Sequence, residues 1–298
     1  MWFLQYKMIR LFYILIIKLT KKSKGKDKRR KGTGSSVGSY GSRDFSYAAT
    51  SVISGISNGG TSDDGLRTKQ IKNSIVSTRK NKIAVLVGDY MLSRILLLSI
   101  EKRNMDLLEI VARAVQEMSE GELLQIEKAR HLDITEEVYY EVIRKKTASL
   151  IATCCEAGAL SVDAHAERAQ MRQFGELIGL AFQIKDDIFD YGTGEHIGKP
   201  TGIDIREQKL TLPLIYALQN AQPAIQKELR YIIKNEYDVS NRVQRAIELV
   251  WESGGVQYAQ KRMEAIAADA LNILAAYPDS PAKASLIGLV AYTMNREK

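Results

Sequence analysis

The chain has 298 residues, of which 45% are hydrophobic and 26% charged, proportions typical of a globular protein with a buried core. The formal net charge of +8 belongs to one end: residues 1–80 hold 17 Lys+Arg and 4 Asp+Glu, which leaves 26 and 31 for residues 81–298. The two cysteines, Cys154 and Cys155, are adjacent, which excludes a disulfide scaffold and a CxxC zinc site and indicates a reducing compartment.

The N-terminal segment is apolar and then basic. Residues 1–19 are interrupted by three cations, and the longest uncharged run, residues 11–17, is far shorter than the ~20 residues that span a bilayer. A signal peptide is not expected, because a basic run follows where a small-residue cleavage site would lie. Residues 1–31 are therefore predicted either to contact an anionic membrane surface or to form a disordered arm.

Residues 32–73 are rich in glycine and serine and lack helical or strand periodicity, which predicts loop or disorder. We accordingly assign residues 1–75 to a basic, irregular segment and residues 76–298 to one helical domain.

From residue 82 onwards, apolar residues recur at three- and four-residue spacing, which predicts helices. Asp133 or Thr135 is expected to cap one of them. The predicted helices cover IAVLVGDYMLSRILLLSI, DLLEIVARAVQEMSEGELLQIEKAR, TEEVYYEVIRKKTASLIATCCEAGAL, AHAERAQMRQFGELIGLAFQIKDDIFDY, LTLPLIYALQNA, AIQKELRYIIKN, VSNRVQRAIELVWESG, GVQYAQKRMEAIAADALNILAAY and SPAKASLIGLVAYTMNREK. Because no alternating strand pattern occurs and the chain has only five prolines, the predicted fold is all-α.

An acidic cluster ends the fourth of these helices. Asp186 and Asp190 are one helical turn apart, Asp187 lies between them, and Gln183 precedes Asp187 by one turn. Oxygen ligands of this kind suit Mg²⁺, which combines a few carboxylates with waters and substrate phosphates. The alternative for an isolated DDxxD is a solvated acidic face.

Cations and a hydroxyl group accompany these carboxylates. A glycine-rich segment with Lys199 and Lys209 follows the acidic helix, and Lys146 and Thr147 lie about 40 residues before it. Lysines act as point charges for diphosphate oxygens. Each feature alone is weak, and together they favour a diphosphate site.

At these positions the chain resembles the trans-isoprenyl diphosphate synthases, the polyprenyl synthetase family, and among them the long-chain bacterial members. QIKDDIFDY is similar to the second aspartate-rich motif, KKTASLI to the KTA element, and GKPTGIDIREQKLTLPLIYA to GKPxGxDxREGKxTLP, with Gln208 where glycine is usual. The resemblance covers about residues 80–298. It implies the all-α helical bundle of the trans-prenyltransferases, with its N-terminal helices replaced here by the irregular segment.

The resemblance also implies roles for individual residues. The implied Mg²⁺ ligands are Asp186, Asp187 and Asp190. The lysines implied to hold the allylic diphosphate and to stabilise its departure, the catalytic set, are Lys146, Lys199 and Lys209. Gln183 and Thr147 would line the same site, and Asp204 would fix the loop. In the family reaction the allylic diphosphate ionises, the allyl cation alkylates isopentenyl diphosphate, and a proton is lost.

The chain departs from the family pattern upstream. The family has another aspartate-rich motif before the helix that begins near residue 82, and here Asp63 and Asp64 are the nearest pair. The upstream Gly-Lys-x-x-Arg stretch for isopentenyl diphosphate also has no counterpart. Three hypotheses follow: a truncated or frame-shifted prenyltransferase of impaired activity, a non-catalytic subunit of a heteromeric synthase, or a membrane- or nucleic-acid-binding protein that uses the basic arm.

The third hypothesis is the weakest, because few aromatic residues interleave with the basic ones and the arm contains no recognised binding module. The resemblance further implies a cytoplasmic protein that forms a homodimer, or a heterodimer with another synthase subunit.

Overall fold

The computed structural model describes residues 85–128, 134–192 and 201–296. The chain divides into two units at Leu97, and each is described by itself. The predictions for residues 1–75, including the Asp63–Asp64 pair, and for Lys199 lie outside the described residues.

All regular structure in the described residues is helical, which confirms the all-α prediction. Residues 85–101 form α1, in which the division between the two units falls. The helices after it are α2 (Met105–Lys128), α3 (Glu136–Ile143), α4 (Ser149–Leu160), α5 (Arg168–Phe189), α6 (Ile203–Arg206), α7 (Leu212–Asn220), α8 (Pro223–Asn235), α9 (Ser240–Glu252), α10 (Gly255–Ala275) and α11 (Pro281–Asn295).

Local signals explain where several helices begin. The Thr135 hydroxyl accepts a hydrogen bond from the Val138 N–H at 3.4 Å, so Thr135 is the predicted cap of α3. The Ser280 hydroxyl caps α11 in the same way by accepting from the Lys283 N–H at 3.1 Å. Helices α7, α8 and α11 each carry proline in the first turn, where the missing N–H costs nothing.

The helix predicted from residue 135 to residue 160 contains a wider turn that the sequence did not indicate. Arg144–Ala148 form a π-helical turn between α3 and α4. Such turns insert one residue into a helix and are frequent at functional sites. This one contains both Lys146 and Thr147.

Helix α5 lies at the centre of the second unit. It packs against α4, α7, α10, α11 and the π-helical turn. Its inward residues Phe174, Ile178, Ala181 and Ile184 are buried, and they belong to the two larger apolar clusters of this unit. The acidic C-terminal end of α5 is therefore held from several sides.

Two glycines set the distance between α5 and the preceding helix. A Cβ atom at Gly179 would lie 2.5 Å from the Ala148 Cα atom, and one at Gly175 would lie 2.7 Å from the Ala152 Cα atom. The two backbones therefore approach more closely than any side chain would allow. This contact sets Thr147, in the π-helical turn, beside Gln183 of α5.

The adjacent cysteines lie in α4 as free thiols. Burial raises the pKa of Cys154 to about 12 and that of Cys155 to about 11, so both are protonated at neutral pH. They behave as small packing residues, as the sequence indicated.

Within the described ranges, no helix is both long enough and apolar enough to span a bilayer. The prediction for the apolar stretch at residues 1–19 lies outside those ranges.

We expect Gly179→Ala to lower the free energy of unfolding by about 1–3 kcal/mol, because the added methyl group forces α5 away from the π-helical turn. Gly158→Ala in α4 is the matched control: apart from the nearby backbone of its own helix, no described atom lies within 4 Å of its added Cβ, so a gain of up to about 1 kcal/mol is expected from helix propensity alone. Urea unfolding followed by circular dichroism measures both. Equal effects of the two substitutions would contradict this account of the helix contact.

Candidate functional site

The C-terminal end of α5 carries the four predicted polar residues, and their side chains point in three directions. Gln183 and Asp187 face α3 and the π-helical turn, Asp190 faces the segment that precedes α6, and Asp186 faces the end of α11. The acidic cluster is therefore not a solvated acidic face, since each carboxylate is bound by another part of the fold.

Asp187 is the most enclosed of these carboxylates, with 6% of its surface exposed. The Tyr139 hydroxyl donates to its Oδ2 atom at 2.7 Å, and the Gln183 side-chain amide donates to its Oδ1 atom at 2.9 Å. Burial raises the pKa of Asp187 well above its usual value, and the nearby charge of Asp204 raises it further. The two hydrogen bonds oppose this rise because they stabilise the ionised form.

Thr147 joins the same chain of hydrogen bonds. Its hydroxyl donates to the Oε1 atom of Gln183 at 2.9 Å, so Thr147, Gln183, Asp187 and Tyr139 are linked in series. The KTA element and the acidic helix are 36 residues apart in sequence at this contact. The structure thus brings together two motifs that the sequence could only place in order.

Lys146 extends from the π-helical turn towards α2. Its ammonium group lies 2.6 Å from the Oε2 atom of Glu122 and also contacts the side chain of Gln125. The side chain is 15% exposed. Lys146 is thus adjacent to Thr147 in sequence but is held by acidic and amide groups of another helix.

Asp190 organises the described part of the loop that follows α5. Its two carboxylate oxygens accept from the Ile203 N–H at 2.9 Å and the Asp204 N–H at 2.8 Å, while its carbonyl accepts from the Gly202 N–H. Gly202 has φ = +75°, and a Cβ there would lie 2.4 Å from Val243 Cγ1, so the position requires glycine. Burial raises the pKa of Asp190, although the backbone N–H groups act in the opposite direction.

Lys209 and Asp204 form an ion pair at α6. The Lys209 ammonium lies 3.4 Å from the Oδ1 atom of Asp204 and also pairs with Glu207. Burial and the charge of Asp190 raise the pKa of Asp204 to about 6. Asp204, in α6, is therefore bound by a lysine that follows the same helix, and its expected role in fixing the loop stays a prediction. Lys199 is outside the described residues.

Gln208 shows why the family pattern has glycine at this position. Its φ is +54°, in the left-handed region that side chains rarely adopt. The side chain offsets this cost by donating to the Ile233 carbonyl of α8 at 2.9 Å.

Arg296, which follows α11, also contacts the acidic helix and is not among the site residues predicted from the sequence. One of its guanidinium nitrogens lies 2.5 Å from the Oδ1 atom of Asp186 and 2.9 Å from the Phe182 carbonyl. A single arginine at the end of a helix carries no pattern that marks it as part of a site. Only the packing of α11 against α5 brings it to the acidic helix.

The carboxylate oxygens of α5 are suitable ligands for a hard divalent cation, but they do not by themselves complete its coordination shell. Among the described residues, no three His, Cys, Asp or Glu side chains lie close enough together to hold a metal ion. Mg²⁺ usually keeps several waters and takes one or two carboxylates together with substrate phosphates. The arrangement therefore suits a metal that arrives with a diphosphate.

Comparisons with known proteins agree with this chemistry. Residues 67–250 match the family model described as polyprenyl synthetase. The all-trans-nonaprenyl-diphosphate synthase (geranyl-diphosphate specific) of Rhodobacter capsulatus is 34% identical over 223 residues, which are 74% of this chain and 67% of that protein. Component 2 of the heptaprenyl diphosphate synthase of Bacillus subtilis is 29% identical over 78% of this chain and 67% of its own length.

A solved structure shows the same fold. The polyprenyl synthase of Caulobacter crescentus, crystallised with calcium and isoprenyl diphosphate, aligns with a TM-score of 0.68 and 35% identity. The alignment covers 73% of this chain and 67% of the Caulobacter chain. This chain therefore spans about two thirds of the length of these relatives.

We expect Tyr139→Phe to lower the free energy of unfolding in EDTA by about 1–3 kcal/mol, because it leaves a buried carboxylate oxygen without its donor. Tyr140→Phe is the control. Its hydroxyl accepts a hydrogen bond from the exposed Arg262 at 3.2 Å, so a change within about 0.5 kcal/mol is expected. Equal losses in the two variants, measured by urea unfolding, would show that the Tyr139 hydroxyl does not support Asp187.

Proposed function

Because the chain belongs to the polyprenyl synthetase family, we propose that it is a prenyltransferase that condenses an allylic diphosphate with isopentenyl diphosphate. The observation that carries this proposal is the joining of the KTA element to the second aspartate-rich motif through Thr147, Gln183 and Asp187. The Caulobacter relative, which was crystallised with a divalent cation and isoprenyl diphosphate, supports the same ligand class.

In this proposal Mg²⁺ binds with the allylic diphosphate at the end of α5, where Asp186, Asp187 and Asp190 are the proposed ligands. Because their side chains point apart, one or two of them bind each ion and the diphosphate supplies further oxygens. Gln183 and Thr147 orient Asp187, and the carboxylate of Asp190 accepts hydrogen bonds from the backbone N–H groups at the start of α6. Bound Mg²⁺ would supply positive charge that makes the diphosphate a better leaving group.

Lys146, Lys199 and Lys209 are proposed to stabilise the diphosphate as it leaves. In the reaction the allylic C–O bond breaks with its electron pair on the diphosphate, the alkene of isopentenyl diphosphate attacks the cation, and a proton is lost. The described lysines are held by acidic groups, Lys146 by Glu122 and Lys209 by Asp204 and Glu207. An incoming diphosphate competes for these ammonium groups, which places positive charge where negative charge develops.

A second candidate function is that of one component in a heteromeric synthase. No second DDxxD occurs in the sequence, and Asp63–Asp64 is the nearest upstream pair. The similarity to a protein named as component 2 of a heptaprenyl diphosphate synthase favours this alternative. In either case we propose a cytoplasmic location, with the basic residues 1–31 in contact with a membrane surface.

We expect the full chain to form polyprenyl product from radiolabelled isopentenyl diphosphate and farnesyl diphosphate only when Mg²⁺ is present. Asp186→Ala should lower the rate by about 10²–10³, because a proposed ligand of the Mg²⁺ that offsets the charge of the leaving diphosphate is lost. Asp269→Ala, at an exposed position on α10, is the matched control and should leave the rate unchanged.

Mg²⁺-dependent binding of farnesyl diphosphate without turnover would favour the component function. Addition of a synthase subunit with an intact upstream motif should then restore product formation. Absence of both binding and turnover in the wild-type chain would contradict the proposed function.

A further inference from the structure

Arg296 is enclosed by one face of α5. Its side chain is 8% exposed, and its contacts come from residues one turn apart: the Phe182 carbonyl at 2.9 Å and the Asp186 carboxylate at 2.5 Å. The guanidinium also lies over two rings of the same face, 3.9 Å from the centroid of Phe182 and 5.3 Å from that of Phe189. The carbonyl, the carboxylate and the two rings together form a binding position for a cation beside Asp186, whose side chain is 22% exposed.

The Arg296 guanidinium occupies this position at a cost in free energy. The Nε atom of Arg296 is buried and has no hydrogen-bond partner among the described residues. A second cation, the Lys185 ammonium, lies 5.2 Å from the centroid of Phe189. Burial and the charge of Arg296 lower the pKa of Lys185. Two cations thus lie near one another here, and one of them leaves a buried N–H group unsatisfied.

A metal ion at Asp186 would add two more positive charges next to this guanidinium. Like charges repel strongly in such a poorly solvated position, so the two cations compete for the same carboxylate. The guanidinium is also monovalent and tethered, whereas Mg²⁺ brings a diphosphate that supplies further oxygen ligands.

We propose that Arg296 is an internal counter-cation that neutralises Asp186 in the ligand-free protein and is exchanged for Mg²⁺ when the metal binds with a diphosphate. This inference rests on the proposed function in one respect, the assignment of Asp186 as a metal ligand. Arg296 thereby lowers the apparent affinity for the metal–diphosphate pair, since the ion pair must open first.

The first test is titration calorimetry of the full chain with inorganic pyrophosphate at saturating Mg²⁺. Arg296→Gln should bind pyrophosphate about tenfold more tightly. This is the change expected if the Arg296–Asp186 ion pair is closed in about nine-tenths of the wild-type molecules and the substitution removes that closed state. Arg296→Lys keeps the charge and should bind like the wild type. Lys283→Gln, in α11, is the control, since the described partners of its ammonium group are the Tyr277 carbonyl and the Asp279 carboxylate, both in the connection that precedes α11.

The second test needs no metal. In EDTA, Arg296→Gln and Asp186→Asn should each lower the unfolding midpoint, and the double variant should lose less than the sum of the two single losses. Additive losses would show that the two side chains do not act as a pair, and would overturn the proposal.

The remaining outcomes separate this proposal from the proposed function. If Arg296→Gln binds pyrophosphate equally or more weakly while Asp186→Asn still abolishes binding, only the proposed exchange is overturned. Arg296 is then a group that supports the bound ligand. Absence of Mg²⁺-dependent binding in the wild type overturns both, because no incoming cation then replaces the guanidinium.

Discussion

The buried carboxylate of Asp187 is the constraint on which the site depends. A carboxylate with so little exposure is tolerated only where donors surround it, and Tyr139 and Gln183 supply them. Gln183 is oriented in turn by Thr147, which requires the π-helical turn to lie against α5. The glycine contact at Gly179 makes that approach possible, so the hydrogen bonds to the Asp187 carboxylate depend on how closely the helices pack at the end of α5.

The acidic residues of α5 serve the fold and the proposed chemistry together. Asp190 binds the backbone of the segment before α6, and Asp186 binds the end of α11. Three parts of the chain are therefore fastened to one helix terminus by its carboxylates. A substitution at any of these aspartates is expected to change local structure as well as ligand binding, which is why metal-free stability must be measured beside activity.

The described cations near the site are already paired. Lys146 contacts Glu122, Lys209 contacts Asp204 and Glu207, and Arg296 contacts Asp186. Binding of a metal diphosphate would thus be an exchange of ion pairs rather than the filling of a charged cavity. Because each exchange replaces one charged contact by another, the net gain in free energy is smaller than the individual contacts suggest.

The sequence by itself determined the helical class, the order of the helices and the identity of the acidic and KTA motifs, because helix periodicity and motif spacing are local properties. Tertiary structure alone decided that Asp187 is buried between Tyr139 and Gln183, that the three aspartates point apart, and that Arg296 reaches Asp186 from 110 residues away. These features depend on how helices pack, since burial and long-range ion pairs leave no period in the sequence.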